Sequence, residues 1–185
     1  MGQYYTPTLT TETNKLFGTF CAFDFNETLK LMEHSWIGNP LVEAVVEYLS
    51  IEPLRLSWVG DYADDVIDKD DKTLLSVYET AMIKDRKISK KWDKKTRLTT
   101  GYLVNHSKKQ VLDLERYIEE STTPDGWCVN PLSLLTAIGN GLGGGDYCGL
   151  NEEAVGYWAN DVIGYEEELP TGYNQFFVCF KEAEV

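Results

Sequence analysis

The sequence predicts an α+β fold, in which a mixed, largely antiparallel sheet carries helices packed on one side. The chain has 185 residues and is 43% hydrophobic, which suits a single domain with a sizeable core. Segments with strand patterns alternate with segments with helical patterns. Their order lacks the regular strand–helix–strand rhythm of a parallel sheet. We therefore expect one α+β domain over residues 1–185.

In the first part of the chain, two segments rich in aromatic and β-branched residues precede two helical segments. Asn39 and Pro40 are typical of an N-cap and a first helical residue. Apolar residues then recur at helical spacing from Leu41 to Leu49. These patterns predict strands over 3–9 and 15–23 and helices over 27–37 and 40–50.

In the rest of the chain, strands predominate. Residues 53–60 alternate like a half-buried strand, and a helix is expected after Thr73. A second Asn-Pro-Leu sequence at Asn130 predicts a short helix that ends at Gly139. The remaining predicted elements are a hairpin of strands 99–105 and 110–118 and a last strand over 173–180.

The net charge of −13 is unevenly distributed along the chain. Residues 1–68 contain 11 acids and 3 bases, and residues 69–116 contain 7 acids and 13 bases. Residues 117–185 contain 12 acids and a single base. The basic segment 69–116 could form a protruding insertion of a helix and a hairpin. In the C-terminal part we expect a solvated acidic surface, which comprises Glu152, Glu153, Glu166, Glu167 and Glu168.

Nucleic-acid binding is not expected. The bases from Arg86 to Arg97 surround Trp92 and could bind RNA, but such runs are more typical of a solvated face. The two early helices could form a helix-turn-helix, but the second carries Glu43 and Glu47 and no base, so phosphates would repel it.

The sequence also predicts a cytoplasmic protein without a membrane segment. The start of the chain has no cationic and apolar signal regions, and no apolar run approaches the ~20 residues of a membrane helix. The four cysteines form no CxxC pair, which favours free thiols in a reducing compartment.

Residues 140–149, NGLGGGDYCG, contain five glycines. Phosphate-binding loops combine backbone N–H groups with a nearby cation, but no base lies between Arg116 and Lys181. The dinucleotide fingerprint GxGxxG also fails, because Asp146 stands where its third glycine belongs. We expect this loop to support a site without binding phosphate by itself.

Three signatures combine an aspartate with glycine or aromatic residues: WVGDY at 58–62, GGDY at 144–147 and WAND at 158–161. The structural interpretation is that glycine provides a turn, aspartate bonds nearby backbone N–H groups, and the aromatic ring packs beside it. On this interpretation Trp58 and Trp158 are buried.

The functional interpretation is that these signatures converge on one pocket for a ligand or partner. Asp61 and Asp146 could hold Mg²⁺ or Ca²⁺ through oxygen ligands, or the carboxylates could bind a cationic ligand beside aromatic faces. His34 could serve as an acid or base. No cofactor is predicted firmly, and no catalytic set is legible. The predicted site residues are Asp61, Tyr62, Asp64, Asp146, Tyr147, Trp158, Asp161, His34 and Trp36.

The motifs MGQYY, LKLMEHSWIGN, SWVGDYADD, GGGDY and VGYWAND together resemble a family of small proteins from bacteria and their phages or prophages. The similarity covers most of the chain. The family has no established activity, so the resemblance transfers no catalytic residue. It implies a phage-linked context, in which small acidic proteins often disable host defence.

Two functions therefore compete. The first is a non-enzymatic inhibitor of a host defence protein, whose acidic surface engages a basic groove. The second is a protein that binds a small molecule or nucleotide, for sequestration or hydrolysis, in a pocket built from the Gly-Asp-Tyr and Trp-Asp signatures. They differ in whether Asp61 and Asp146 share a concave pocket.

Overall fold

The computed structural model describes residues 2–13, 16–63, 88, 98–139 and 143–182. The strands of this part are β1 (Tyr5–Thr10), β2 (Leu16–Thr19), β3 (Leu54–Gly60), β4 (Tyr102–Asn105), β5 (Gln110–Asp113), β6 (Ala137–Ile138), β7 (Asp161–Glu166) and β8 (Asn174–Gln175). The α-helices are α1 (Leu31–His34), α2 (Pro40–Leu49), α3 (Leu114–Ser121) and α4 (Pro131–Leu135), and Ala22–Phe25 and Glu152–Ala154 are 3-10 turns. The predicted helix after Thr73, the residue Asp64 and most of the basic segment lie outside the described residues.

The eight strands form one sheet in the order β2-β1-β3-β7-β4-β5-β8, and β6 pairs with β3. Most neighbouring strands are antiparallel, while the β3–β6 and β5–β8 pairs are parallel. The predicted α+β class with a mixed, largely antiparallel sheet is therefore confirmed.

Helix α2 begins where the sequence predicts. The Asn39 side chain accepts hydrogen bonds from the backbone N–H groups of Leu41 and Val42 at 3.0 and 3.3 Å, and Pro40 occupies the first turn. Asn130 caps α4 in the same way, through the N–H of Leu132. Both helices begin at local signals that need no tertiary contact.

Three predicted elements are shorter in the structure than the sequence patterns indicate. Within residues 27–37 only one turn, α1, forms, because Lys30 before it is extended and Ser35 after it leaves the helical conformation. The predicted strand 110–118 ends at Asp113, whose carboxylate accepts from the Arg116 N–H at 3.1 Å and caps α3. The predicted last strand reduces to Asn174–Gln175.

Strand β7 lies near the middle of the sheet between β3 and β4, although the sequence patterns did not indicate it. The register of β7 determines where Glu166, at the end of the strand, lies relative to Gly60. Gly60 pairs with Tyr5 at one end of β3, and Leu54 pairs with Ile163 at the other. Glu166 lies three residues beyond Ile163, so it is roughly 30 Å from Gly60 at about 3.3 Å per residue.

Two tryptophans lie in the core. Trp58 and Trp158 are both fully buried, which confirms the expectation that these rings pack inside the fold. All four cysteines are free thiols. Among the described residues, no helix has the length and apolar character that crossing a bilayer requires.

Candidate functional site

Gln3 is fully buried at the point where the glycine-rich motifs meet. We orient its amide so that the nitrogen donates to Asp146 Oδ2 at 3.1 Å and to the Tyr5 hydroxyl at 2.9 Å. Its oxygen then accepts from the Tyr62 N–H at 3.1 Å, and the Tyr5 hydroxyl donates to Asp146 Oδ1 at 2.8 Å. We call Gln3, Tyr5, Asp146 and the Tyr62 N–H the Gln3 network. Its polar groups satisfy one another, with Gln3 and Tyr5 buried and Asp146 half-buried.

Three glycines make room for the Gln3 side chain. A Cβ atom on Gly60 would lie 2.5 Å from the Gln3 amide, and one on Gly139 would lie 2.5 Å from the Tyr5 hydroxyl. A Cβ on Gly143 would overlap the Gln3 Cβ and lie 2.8 Å from its backbone nitrogen. Part of the glycine richness of the chain is therefore explained by close packing around one buried side chain.

The packing argument predicts a specific coupling between Gly60 and Gln3. Gly60→Ala should destabilise the fold by about 1–3 kcal/mol through overpacking. In a Gln3→Ala background the same change should cost less, because the atoms that it meets are gone. Urea unfolding of the four proteins of this double-mutant cycle measures the coupling. Strictly additive costs would contradict the close contact.

The Asp146 carboxylate occupies the position that an anion would need in a phosphate loop. Its Oδ2 accepts from the Gly143 N–H at 2.9 Å, in addition to the contacts within the Gln3 network. Lys30 packs its aliphatic stem on Gly145, but its Nζ bonds to Glu33 at 2.9 Å. The Gly143 N–H and the adjacent Lys30 ammonium are thus both engaged within the protein.

Asp61 directly follows the last residue of β3. Its Oδ1 accepts from the Tyr4 N–H at 3.0 Å, and the rings of Tyr4 and Tyr62 are 45% and 40% exposed beside it. Burial, together with the hydrogen bond to Asp146 and the charges of Asp146 and Asp61, raises the pKa of Tyr5 far above its ordinary value. The Tyr5 hydroxyl therefore stays protonated and continues to donate to Asp146.

A pocket of about 520 Å³ opens beside the Asp146 turn, and we call it the acid-lined pocket. Asp146, Glu152 and Glu153 provide its carboxylates. Its other lining residues are Tyr5, Leu31, Ala137, Gly139, Tyr147 and Val155. Of the predicted site residues, Asp146 and Tyr147 line this pocket, and Asp61 lies outside its described lining.

Asp161 does not join this pocket, so the predicted convergence of the aspartates is wrong for this residue. Its Oδ2 forms an ion pair with Lys108 and accepts from the Asn105 amide at 2.8 Å. Asp161 pairs in register with Leu56 on β3, several residues from the Gly60 end. A local counter-ion explains the Asp161 side chain without any ligand.

Two predicted wall residues also lie elsewhere. Trp158 is fully buried and donates from Nε1 to Gln110 Oε1 at 2.9 Å, so it presents no surface to a ligand. Trp36 packs against Trp127, with ring centroids 6.1 Å apart. Neither ring lines the acid-lined pocket.

His34 is a buried structural residue in this fold. Its Nε2 accepts from the Trp58 indole N–H at 2.8 Å, which requires the proton to be on Nδ1, 2.9 Å from the Thr28 carbonyl oxygen. Burial lowers the pKa of His34 to about 4. The interpretation of His34 as an acid or base at the pocket is therefore wrong, because the ring is sequestered and both nitrogens are used.

The five acids of the predicted acidic surface are all exposed, but they lie in two places. Glu152 and Glu153 are at the acid-lined pocket. Glu166 ends β7 and Glu167 and Glu168 follow it, at the opposite end of the sheet. The described part of the chain shows no ion pair at any of the five, and within it no three His, Cys, Asp or Glu side chains are placed to hold a metal ion.

Sequence reasoning missed Gln3 and Tyr5, the two residues that join the motifs. A signal was present, since a glutamine before two tyrosines opens a segment that the pattern already assigned to a strand.

Comparison of the chain with family models, with curated proteins and with solved structures found no match.

Proposed function

We propose that the protein acts by binding rather than by catalysis, as an inhibitor whose acidic surface engages a basic groove on a partner protein. The observation that carries this proposal is the exposure of Glu152 and Glu153, which form no ion pair within the described residues. Unpaired carboxylates keep their full charge available to a partner. The family resemblance makes a host defence protein the expected partner.

The state of the two histidines supports binding over acid–base chemistry. His34 is buried against Trp58, and His106 Nδ1 bonds to the Tyr173 hydroxyl at 2.8 Å. Within the described residues, neither ring is hydrogen-bonded to a serine or cysteine nucleophile. The net charge of −13 also favours a basic protein partner over a nucleic acid.

The test is the association rate with a partner captured from host lysate, measured by stopped flow at several salt concentrations. A charge-steered complex should form more slowly as salt rises. Reversing Glu166, Glu167 and Glu168 to lysine should lower the rate about tenfold at low salt. Folding should be retained because the three side chains are exposed. A rate independent of salt, with full activity of the triple variant, would refute the proposal.

The second candidate, binding of a small molecule, is favoured by the acid-lined pocket itself. Its volume of about 520 Å³ falls within the range of about 300–1,000 Å³ typical of ligand sites. The two candidates predict opposite variant patterns. For a small-molecule site, the triple lysine reversal has little effect on activity, whereas Asp146→Asn removes it.

A further inference from the structure

The acid-lined pocket has two chemically different sides. Its apolar lining consists of Val155, which is half-buried, and of Leu31 and Ala137, which are buried. Glu152 and Glu153 are exposed at the edge, while Asp146 is fixed in position by the Gln3 network. The pocket thus combines an apolar surface with carboxylates, one of which cannot swing away.

This combination selects one class of ligand. An anion would meet three carboxylates, and the described lining contains no basic side chain to compensate. A bare metal ion would need a cluster of ligand side chains, which the described residues do not form. A cation carried on an aliphatic chain satisfies both sides, because its methylene groups cover apolar surface while its charged head reaches the carboxylates.

We infer that the acid-lined pocket binds a lysine or arginine side chain of the partner protein. The inference rests on the proposed function and names the group that the partner inserts. The pocket opens to solvent at Glu152 and Glu153, so a side chain projecting from a protein surface can enter it. The complementary charge makes such a side chain the favoured occupant over a neutral one.

The probe is N-acetyl-arginine amide, titrated into ¹⁵N-labelled protein, with the neutral isostere N-acetyl-citrulline amide as its control. We expect the arginine probe to shift the backbone amides of Gly143–Tyr147 and Glu152–Val155, and the citrulline probe to leave them unchanged. Equal shifts with both probes, or shifts confined to other parts of the protein, would overturn the inference.

Matched variants separate the pocket from general charge. Glu152→Gln with Glu153→Gln should weaken arginine binding about fivefold, since exposed ion pairs contribute modestly. Glu115→Gln with Glu119→Gln removes the same charge from exposed positions on α3, outside the described lining of the pocket, and should change binding less than about twofold. Equal weakening by the two pairs would overturn the pocket assignment.

Two further measurements identify the source of the cation. Spermidine is titrated in parallel, and saturable binding of spermidine without binding of the arginine probe would assign a free polyamine and overturn the side-chain source. The Glu152→Gln, Glu153→Gln variant is also tested against the captured partner, where slower association is expected. The arginine probe could occupy the pocket while the partner associates with the Glu152→Gln, Glu153→Gln variant at the wild-type rate. That result would confirm that the pocket binds a cation on an aliphatic chain, but it would refute a role of the pocket in the partner complex.

Discussion

The protein should be less stable at pH 4 than at pH 7. His34 alone should account for about 3 kcal/mol of the loss in the free energy of unfolding. Trp58 donates its indole N–H to His34 Nε2, and an indole nitrogen cannot accept a proton in return. Protonating Nε2 therefore places two donors against each other inside the core. Burial of the ring opposes the positive charge as well.

The pH range follows from the direction of this shift. Folding lowers the pKa of His34 from 6.5 to about 4, so its contribution to stability is complete above pH 6.5. The contribution is lost as the pH falls through the folded value of about 4. A shift of this size corresponds to about 3 kcal/mol.

Urea unfolding at a series of pH values between 7 and 4 measures the effect. Carboxylates titrate near the lower end of this range, so the His34 contribution is obtained by comparison with His34→Gln, which should show a shallower loss of stability. His106→Gln is the matched control. The His106 ring is only half-buried, and burial lowers its pKa while the charge of Glu166 opposes this shift. The His106→Gln substitution should therefore flatten the profile less than His34→Gln does. Identical profiles for the wild type and His34→Gln would contradict the assigned hydrogen bonds.

Replacing Trp158 by alanine should destabilise the fold by about 3–5 kcal/mol, equivalent to a fall in Tm of about 10 °C for a domain of this size. The ring is fully buried, packs on Phe176 with centroids 5.2 Å apart, and bonds to Gln110. The substitution leaves a cavity and removes the donor of the partly buried Gln110 amide oxygen.

Trp127→Ala is the matched control, because it removes the same side chain from a position that is 39% exposed. The loss of its contact with Trp36 should cost about 1 kcal/mol. Thermal unfolding followed by circular dichroism compares the two variants. Equal falls in Tm would mean that the buried Trp158 contributes no more to the stability of the fold than the exposed Trp127.

The functional residues show how far sequence reasoning reaches at a site. It predicted Asp61 and Asp146 as site residues, and in the structure Asp61 accepts from the Tyr4 N–H and Asp146 from the Tyr5 hydroxyl. It could not identify Gln3, which joins Asp146 to the Tyr62 N–H, because both partners lie far away along the chain. It also grouped Asp161 with the other aspartates, since the pairing of Asp161 with Lys108 depends on strand register.

By itself the sequence determined the α+β class, the charge distribution and the starts of α2 and α4. The helix starts depend on contacts within three residues, as at Asn39 and Val42, and a linear pattern contains such contacts completely. The tertiary structure alone decided that β7 is a central strand and that Glu152 and Glu166 lie at opposite ends of the sheet. Those outcomes depend on which distant segments pair and in which register, because the burial that selects a pairing exists only once the sheet has assembled.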